Sequence, residues 1–148
     1  MRTHLAFRAV LNALARPGRP QGLPATDTEQ GLALLMEAIW ADAPEAPLVL
    51  DEPDLVQAIL AAPRGSEEEP ERGATLLVAR RDAPRQRVRL EGPGLERPAA
   101  AWLPLSRAEV DARGLACAAP PLGVDLLLLD QSCQVVGLPR TTRVTVLE

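Results

Sequence analysis

The chain has 148 residues, of which 47% are hydrophobic and 24% are charged, and its formal net charge is −4. This length and composition suit a globular domain with a sizeable core, and the negative charge argues against non-specific binding to nucleic acid. No apolar run reaches the roughly 20 residues of a membrane helix, and the N-terminus lacks the apolar region of a signal peptide, so we expect a cytoplasmic location.

The side-chain inventory excludes several kinds of active site. All 16 basic residues are Arg, so the Lys that a pyridoxal phosphate enzyme or a P-loop needs is missing. The one His, His4, lies near the N-terminus, where it is a poor general base. Cys117 and Cys133 form no CxxC motif. We therefore expect no metal, no cofactor and no disulfide, with both thiols packed as small apolar groups.

A first helix is predicted from apolar residues at helical spacing, which are Phe7, Val10, Leu11 and Leu14. Pro17–Gly18 follows and ends the helix. Arg8 begins a polar stripe on another face of the same helix. That stripe is either a solvated face or an edge that meets an anion or a partner.

A second helix is predicted to begin at the capping box Thr26-x-x-Glu29 and to end before Asp42. The run 47–50 is short and apolar and predicts a strand. Asp51 then predicts the cap of a third helix, which runs through Leu55, Val56, Ile59 and Leu60.

The middle of the chain alternates loops with strands. The segment 63–73 is acidic and rich in Pro and Gly, and we predict a mobile loop. The runs 75–79 and 86–90 predict two strands, and Gly92-Pro-Gly94 breaks the second. This break is either a simple turn or a place where backbone amides approach an anion. A second capping box, Ser106-x-x-Glu109, opens another helix, which Gly114 is expected to end.

The C-terminal region predicts a hairpin. The continuous apolar run 124–129 is typical of a strand that is buried on both faces. Residues 130–133 form a turn, 134–138 return as the antiparallel partner, and 144–146 add a short strand. No linker divides the chain, so we expect one domain over residues 1–148. Its fold class is α/β, a mixed sheet with flanking helices.

Charged and hydroxyl side chains cluster at the ends of this hairpin. Asp125 lies in the apolar strand, where a carboxylate must be paired. It is either a structural acceptor or a functional carboxylate. The Pro-Arg-Thr-Thr-Arg segment that follows the hairpin supplies the remaining candidate ligand-binding residues, which are Arg140, Thr141, Thr142 and Arg143. The segment is an anion site, a structural corner in which Arg140 pairs with Asp125, or a subunit contact.

Three segments of the chain resemble the PhnH family of bacterial phosphonate metabolism. The first is 7–18, a helix that closes on Pro-Gly. The second joins 73–76 to 88–95, similar to the family's central hairpin and Gly-x-Gly turn. The third and most specific runs from Pro-Leu-Gly-Val-Asp at 121–125 to Pro-Arg-Thr-Thr-Arg-Val at 139–144. The chain is shorter than typical members, and the gap lies between Leu50 and Gly73.

The resemblance implies a reduced pyridoxal-phosphate-transferase-like fold without the cofactor. It also implies a homodimer that joins PhnG, PhnI and PhnJ in the core complex of carbon–phosphorus lyase. That complex forms alpha-D-ribose 1-phosphonate 5-triphosphate from ATP and an alkylphosphonate. The family assigns no settled catalytic residue, so the catalytic residues of this chain stay unknown.

Two functions are therefore weighed. The chain is either a dimerising scaffold without its own active site, or a subunit that binds a nucleotide or ribose phosphonate itself. The second would use Arg140, Thr141 and Thr142, with Arg8 as a further contributor. Trp102 is the better candidate for a subunit contact, because interface cores favour aromatic residues.

Overall fold

The computed structural model describes residues 2–40, 48–51, 54–81 and 83–147. In chain order the elements are α1 (Arg2–Ala15), β1 (Gln21–Gly22), α2 (Thr28–Trp40), β2 (Leu48–Asp51), α3 (Leu55–Ala61), a 3-10 turn (Pro70–Arg72), β3 (Thr75–Arg80), β4 (Gln86–Glu91), β5 (Ala99–Leu103), α4 (Arg107–Ala116), β6 (Asp125–Asp130), β7 (Gln134–Leu138) and β8 (Arg143–Val146). No helix within these ranges is both long enough and apolar enough to cross a membrane.

A five-stranded mixed sheet forms the centre of the fold, with strand order β1-β7-β6-β3-β2. Strands β2, β3 and β6 are parallel, whereas β7 runs antiparallel to both β6 and β1. The predicted mixed α/β class is confirmed. The predicted strand at 47–50 is also confirmed over Leu48–Asp51. The short strand β1 was not predicted from the sequence.

Strand β6 is buried on both faces, as its continuous apolar sequence predicts. Leu126 and Leu128 pack into a core with α3, α4 and the second sheet. Leu127 and Leu129 point the other way, into a core with α1 and α2. Because neighbouring side chains of a strand point to opposite faces, one leucine run fills both cores. The predicted hairpin is confirmed, with Leu126 opposite Leu138 in the antiparallel pair of β6 and β7.

The predicted strands at 75–79 and 86–90 exist, but the hairpin that the resemblance implied is wrong. β3 pairs in parallel with β2 and β6. β4 instead forms a separate three-stranded sheet with β5 and β8, in the order β5-β4-β8. β5 was not predicted, because its Ala-rich sequence has low strand propensity. Antiparallel pairing with β4, from Gln86 opposite Leu103 to Leu90 opposite Ala99, overrides that preference.

The buried face of α1 agrees with the prediction at Val10 and at the half-buried Leu14, but Leu11 lies outside it. Four small residues, Ala6, Ala9, Val10 and Ala13, are buried, whereas Leu11 is 51% exposed. The alanines let the helix lie close to β7. A Cβ atom added to Gly137 would come within 2.5 Å of the Ala13 carbonyl oxygen. Close backbone approach therefore decides the orientation of α1, and leucine spacing does not.

The helix caps shift slightly from their predicted positions. Asp27, and not Thr26, caps α2, because its carboxylate accepts a hydrogen bond from the Gln30 amide at 2.8 Å. Asp54, and not Asp51, caps α3. The third cap is confirmed, since Ser106 and Glu109 form a complete capping box, but α4 continues past Gly114 to Ala116. Each shift is a change of register among neighbouring Asp and Thr residues that cap about equally well. The predicted end of the second helix before Asp42 falls beside 41–47, which lie outside the described residues.

Candidate functional site

The open end of the hairpin holds an Arg–Asp pair. Asp125 is the first residue of β6, and Arg140 follows β7, so antiparallel pairing brings the two together. One Asp125 carboxylate oxygen accepts the Arg140 amide at 2.7 Å and its Nε at 3.3 Å, and the other accepts Nη2 at 3.0 Å. The Arg140 side chain is 14% exposed and the Asp125 side chain is 21% exposed. The pair that the structural-corner interpretation predicts is present.

Arg140 also binds the segment that precedes β3. Its Nη1 donates to the Pro70 carbonyl at 2.7 Å, and its Nη2 donates to the Gly73 carbonyl at 3.2 Å. The predicted mobile loop at 63–73 is therefore built differently. It contains the 3-10 turn and a β-bridge between Arg64 and Gly73. Arg140 joins this segment to the end of the hairpin.

Two glycines leave room for the Arg140 side chain. A Cβ atom at Gly73 would come within 2.2 Å of the Arg140 Nη1 and within 2.3 Å of the Gly123 carbonyl oxygen. Gly123 has φ +150°, and a Cβ there would lie 3.0 Å from the Cβ of Arg140 and 2.9 Å from the Cys117 Sγ. The guanidinium thus fills the space beside Gly73, and the base of the Arg140 side chain lies against Gly123.

A second arginine, Arg113 of α4, is buried beside this pair and was missed by the sequence analysis. It is 2% exposed, and its Nη2 donates to the Pro139 carbonyl at 2.6 Å. Among the described residues its Nε has no hydrogen-bond partner. Burial lowers the pKa of the Arg113 guanidinium, and the nearby Cys117 and Asp125 partly oppose that effect. The spacing of residues along α4 gave no indication that Arg113 is buried.

The structure separates the other predicted site residues. Thr142 is buried, and its hydroxyl has no partner among the described residues. Thr141 and Arg143 are exposed, and Arg143 lies opposite Glu91 in the second sheet. Arg8 is exposed on α1, and no hydrogen bond or ion pair of the described ranges joins it to the corner. Ligand binding by these residues stays a prediction.

The three segments that carry the family resemblance converge around this corner. A Cβ atom at Gly92 would lie 2.8 Å from the Thr141 carbonyl oxygen, so the Gly92–Gly94 turn packs on the Thr-Thr segment. A Cβ atom added at Gly94 would lie 2.5 Å from the Ala15 carbonyl oxygen. The Gly18 amide in turn donates to the Gly137 carbonyl at 3.1 Å. Residues far apart in the sequence thus form one contiguous structural unit.

A buried ion pair holds the other end of the sheet and was also missed. Arg80, at the end of β3, donates to Glu109 at 2.8 Å and to the Pro104 carbonyl at 3.1 Å. Both side chains of the pair are at most 9% exposed. Glu109 accepts the Ser106 amide as well, so one carboxylate serves both the helix cap and the ion pair.

The geometry of the corner indicates a structural role for Arg140. The Arg140 guanidinium has five N–H donors, and four hydrogen bonds within the chain already engage it. An anion would have to compete with a carboxylate and two carbonyls for these donors. In the described ranges, no group of three or more His, Cys, Asp and Glu side chains is placed to hold a metal ion. The contacts favour a corner that holds the fold together.

The comparison with known protein families identifies the chain. Residues 25–145 match the family described as "Bacterial phosphonate metabolism protein (PhnH)". A search of the curated proteins found no match. The matched range spans well over half of the 148 residues and includes the hairpin, the Arg–Asp corner and every strand except β1, although β8 extends one residue beyond it. The chain therefore belongs to the PhnH family, which takes part in bacterial phosphonate metabolism.

Proposed function

We propose that the chain is a subunit of the carbon–phosphorus lyase core complex, with PhnG, PhnI and PhnJ homologues as its partners. In this role it supports the formation of alpha-D-ribose 1-phosphonate 5-triphosphate from ATP and an alkylphosphonate. The observation that carries the proposal is the family match over residues 25–145. The reduced transferase-like fold and the homodimer, which the resemblance implies, belong to the same proposal, and so does the cytoplasmic location expected from the N-terminal sequence.

Within that complex, we assign the chain a scaffold role. The described residues offer few groups for acid–base or nucleophilic chemistry: the chain has one His and no Lys or Tyr. Two of its arginines with low exposure are already paired with carboxylates, since Arg140 binds Asp125 and Arg80 binds Glu109. Buried pairs of this kind hold elements in register, which suits a subunit that presents a fixed surface to partners.

The test is co-expression of the tagged chain with PhnG, PhnI and PhnJ homologues. We expect the four proteins to elute together, and we expect deletion of the gene to prevent growth on an alkylphosphonate as the sole phosphorus source. Failure of the chain to co-elute, together with undiminished growth of the deletion strain, contradicts the proposal.

Complementation separates the scaffold from the ligand-binding alternative. The side chains of Thr141 and Arg143 are exposed, so Thr141→Ala and Arg143→Gln leave the core intact. A scaffold retains growth and co-elution in both variants. If growth is lost while the protein level and co-elution stay normal, these residues act on a ligand and the alternative is correct.

A further inference from the structure

We propose that a cavity between the end of α1, the Gly92–Gly94 turn and β5 binds a nucleotide. In this proposal Arg16, Arg19 and Arg85 contact the phosphates, and Trp102 stacks on the base. The site is distinct from the Arg140 corner, and nothing in the assembly role proposed above requires it.

The cavity is open to solvent and has a volume of about 880 Å³, compared with about 550 Å³ and 330 Å³ for two other cavities in the described ranges. This volume lies within the usual range of small-molecule sites. Its walls come from the Pro-Gly end of α1, the Gly-Pro-Gly turn, the Ala-rich strand β5, and from Arg85 just before β4 and Leu90 within it. The first two are motifs that the sequence analysis singled out and that the proposed assembly role does not use.

The charge of the lining is opposite to that of the whole chain. Three guanidinium groups face one carboxylate, Glu96, in a protein whose formal net charge is −4. Among the residues that the structure describes, no hydrogen bond or ion pair engages the guanidinium groups of Arg16 and Arg19. Arg85 makes one loose contact, 3.6 Å from Asp130, and is 52% exposed. These donors are available, whereas those of Arg140 are occupied.

The end of a helix carries a partial negative charge, which opposes an anion at this position. That charge is equivalent to about half of one electron and acts over the last turn only. Arg16 and Arg19 follow that last turn directly and exceed it in charge. Arg side chains bind phosphate through paired hydrogen bonds, so the balance in the cavity favours a ligand with more than one phosphate charge.

Trp102 supplies the second half of the site. It lies on β5, lines the cavity and is 60% exposed. The chain has only three aromatic residues, two Trp and one Phe, and a large indole left open beside three arginines requires an explanation. An exposed aromatic face stacks on nucleobases, with a contribution independent of base identity. The combination of a stacking surface and several guanidinium groups fits a nucleotide better than a simple anion.

The floor of the cavity is fixed by close packing. Gly18 has φ +78°, and a Cβ there would lie 2.2 Å from the Leu90 Cδ1. Gly94 has φ +87° and lies against Ala15 and Pro17 in the same way. Both positions require glycine, because side chains rarely adopt these backbone angles. The arginines are therefore held on a preformed framework, which lowers the cost of ordering them around a ligand.

The experiment is calorimetric titration of the purified full-length chain with ATP, AMP, adenosine and inorganic triphosphate. We expect saturable binding that weakens from ATP to AMP to adenosine. The double variant Arg16→Gln/Arg19→Gln is expected to bind ATP about tenfold more weakly or worse. Arg89→Gln is the matched control: its side chain is 51% exposed, lies on β4 next to Leu90 and does not line the cavity.

The Trp102→Leu variant tests the stacking contact. It should weaken binding of ATP but leave binding of inorganic triphosphate unchanged. If triphosphate binds as tightly as ATP and Trp102→Leu has no effect, the nucleotide assignment is wrong and only an anion site remains. Absence of saturable binding by the wild-type chain, or equal losses in the Arg89 control and the double variant, overturns the proposal.

A third outcome concerns Trp102 as a subunit contact. If Trp102→Leu changes the molar mass measured by light scattering and ATP does not bind, the indole serves an interface and the nucleotide site is refuted. The co-elution experiment above is unaffected by each of these results. Failure of the nucleotide site and failure of the assembly role can therefore be told apart.

Discussion

Arginines at two places in this protein differ in whether their hydrogen-bond donors are used within the fold. At the corner between the hairpin and the 3-10 turn, Arg140 is 14% exposed and donates hydrogen bonds to Asp125 and to two carbonyl groups. In the cavity beside α1, Arg16 and Arg19 are exposed and have no such partners in the described ranges. The sequence left three roles open for Arg140, which were an anion site, a structural corner and a subunit contact, and the pair with Asp125 that the corner requires is present. Burial and available acceptors, not neighbouring residues, decide what an arginine does.

The physical reason is the cost of removing a charge from water. Burying a guanidinium is costly, and carboxylates or carbonyls that accept its hydrogen bonds reduce that cost. The corner meets that condition for Arg140 through two different parts of the chain, the segment 70–73 and Asp125. An exposed guanidinium carries no such requirement, so it stays free for a ligand.

The largest effect is expected from Asp125→Ala. This change leaves Arg140 mostly buried without its counter-charge, and we expect a loss of about 2–4 kcal/mol in the free energy of unfolding. The exposed pair Arg89–Glu91 is the matched control, since its side chains are 51% and 32% exposed. Glu91→Gln should cost about 1 kcal/mol or less. Urea denaturation measures both. A loss below about 1 kcal/mol for Asp125→Ala contradicts a structural role for the corner.

Gly73→Ala is expected to have the next largest effect. The added methyl group would overlap the Arg140 Nη1 and the Gly123 carbonyl oxygen. Because the carbonyl belongs to the backbone and cannot move aside, we expect a loss of about 1–3 kcal/mol. At Gly114 nothing lies within 4 Å of the added Cβ, so Gly114→Ala in α4 should stabilise the protein by up to about 1 kcal/mol. Similar unfolding midpoints for the two variants would show that the corner has room to spare.

Arg113→Lys sharpens the comparison through pH. Burial lowers the pKa of the group at this position, and it should lower that of a Lys there below the unfolded value of about 10.4. The folded state then binds fewer protons than the unfolded state at alkaline pH. Stability relative to wild type should therefore be lowest near neutral pH and rise towards pH 10, by at most about 1.4 kcal/mol per pH unit.

The control for that measurement is Arg113→Met, which carries no titrating group and should show no pH-dependent difference from wild type. Urea denaturation at pH 7, 8, 9 and 10 supplies the data for both variants. A Lys variant whose deficit stays constant over this range would mean that the site at Arg113 is hydrated.

The smallest effect on stability is expected for Arg16→Gln and Arg19→Gln. Both side chains are exposed, so each change should alter the unfolding free energy by about 0.5 kcal/mol or less. Their loss should instead appear in nucleotide binding. A large destabilisation would mean that these arginines hold the end of α1 in place, and the contrast with Arg140 would disappear.

Predictability from the sequence varied with the kind of evidence. The run Leu126–Leu129 predicted a doubly buried central strand, because no polar residue interrupts it and no exposed strand tolerates that. The predicted face of α1 was correct at Val10 but wrong at Leu11, because the alanines that are buried instead give a weaker hydrophobic signal than a leucine. The burial of Arg113 could not be predicted, because its partner, the Pro139 carbonyl, lies far away in the sequence.

The sequence by itself determined the mixed α/β class, the C-terminal hairpin and the family, since these depend on local periodicity and on ordered motifs. Only the tertiary structure decided that β3 and β4 belong to different sheets. It also decided that Arg140 is bound within the fold and that the Pro-Gly end of α1 shares a cavity with Trp102. The reason is that burial, free hydrogen-bond donors and cavities arise between segments far apart in the chain, and no spacing within one segment reports them.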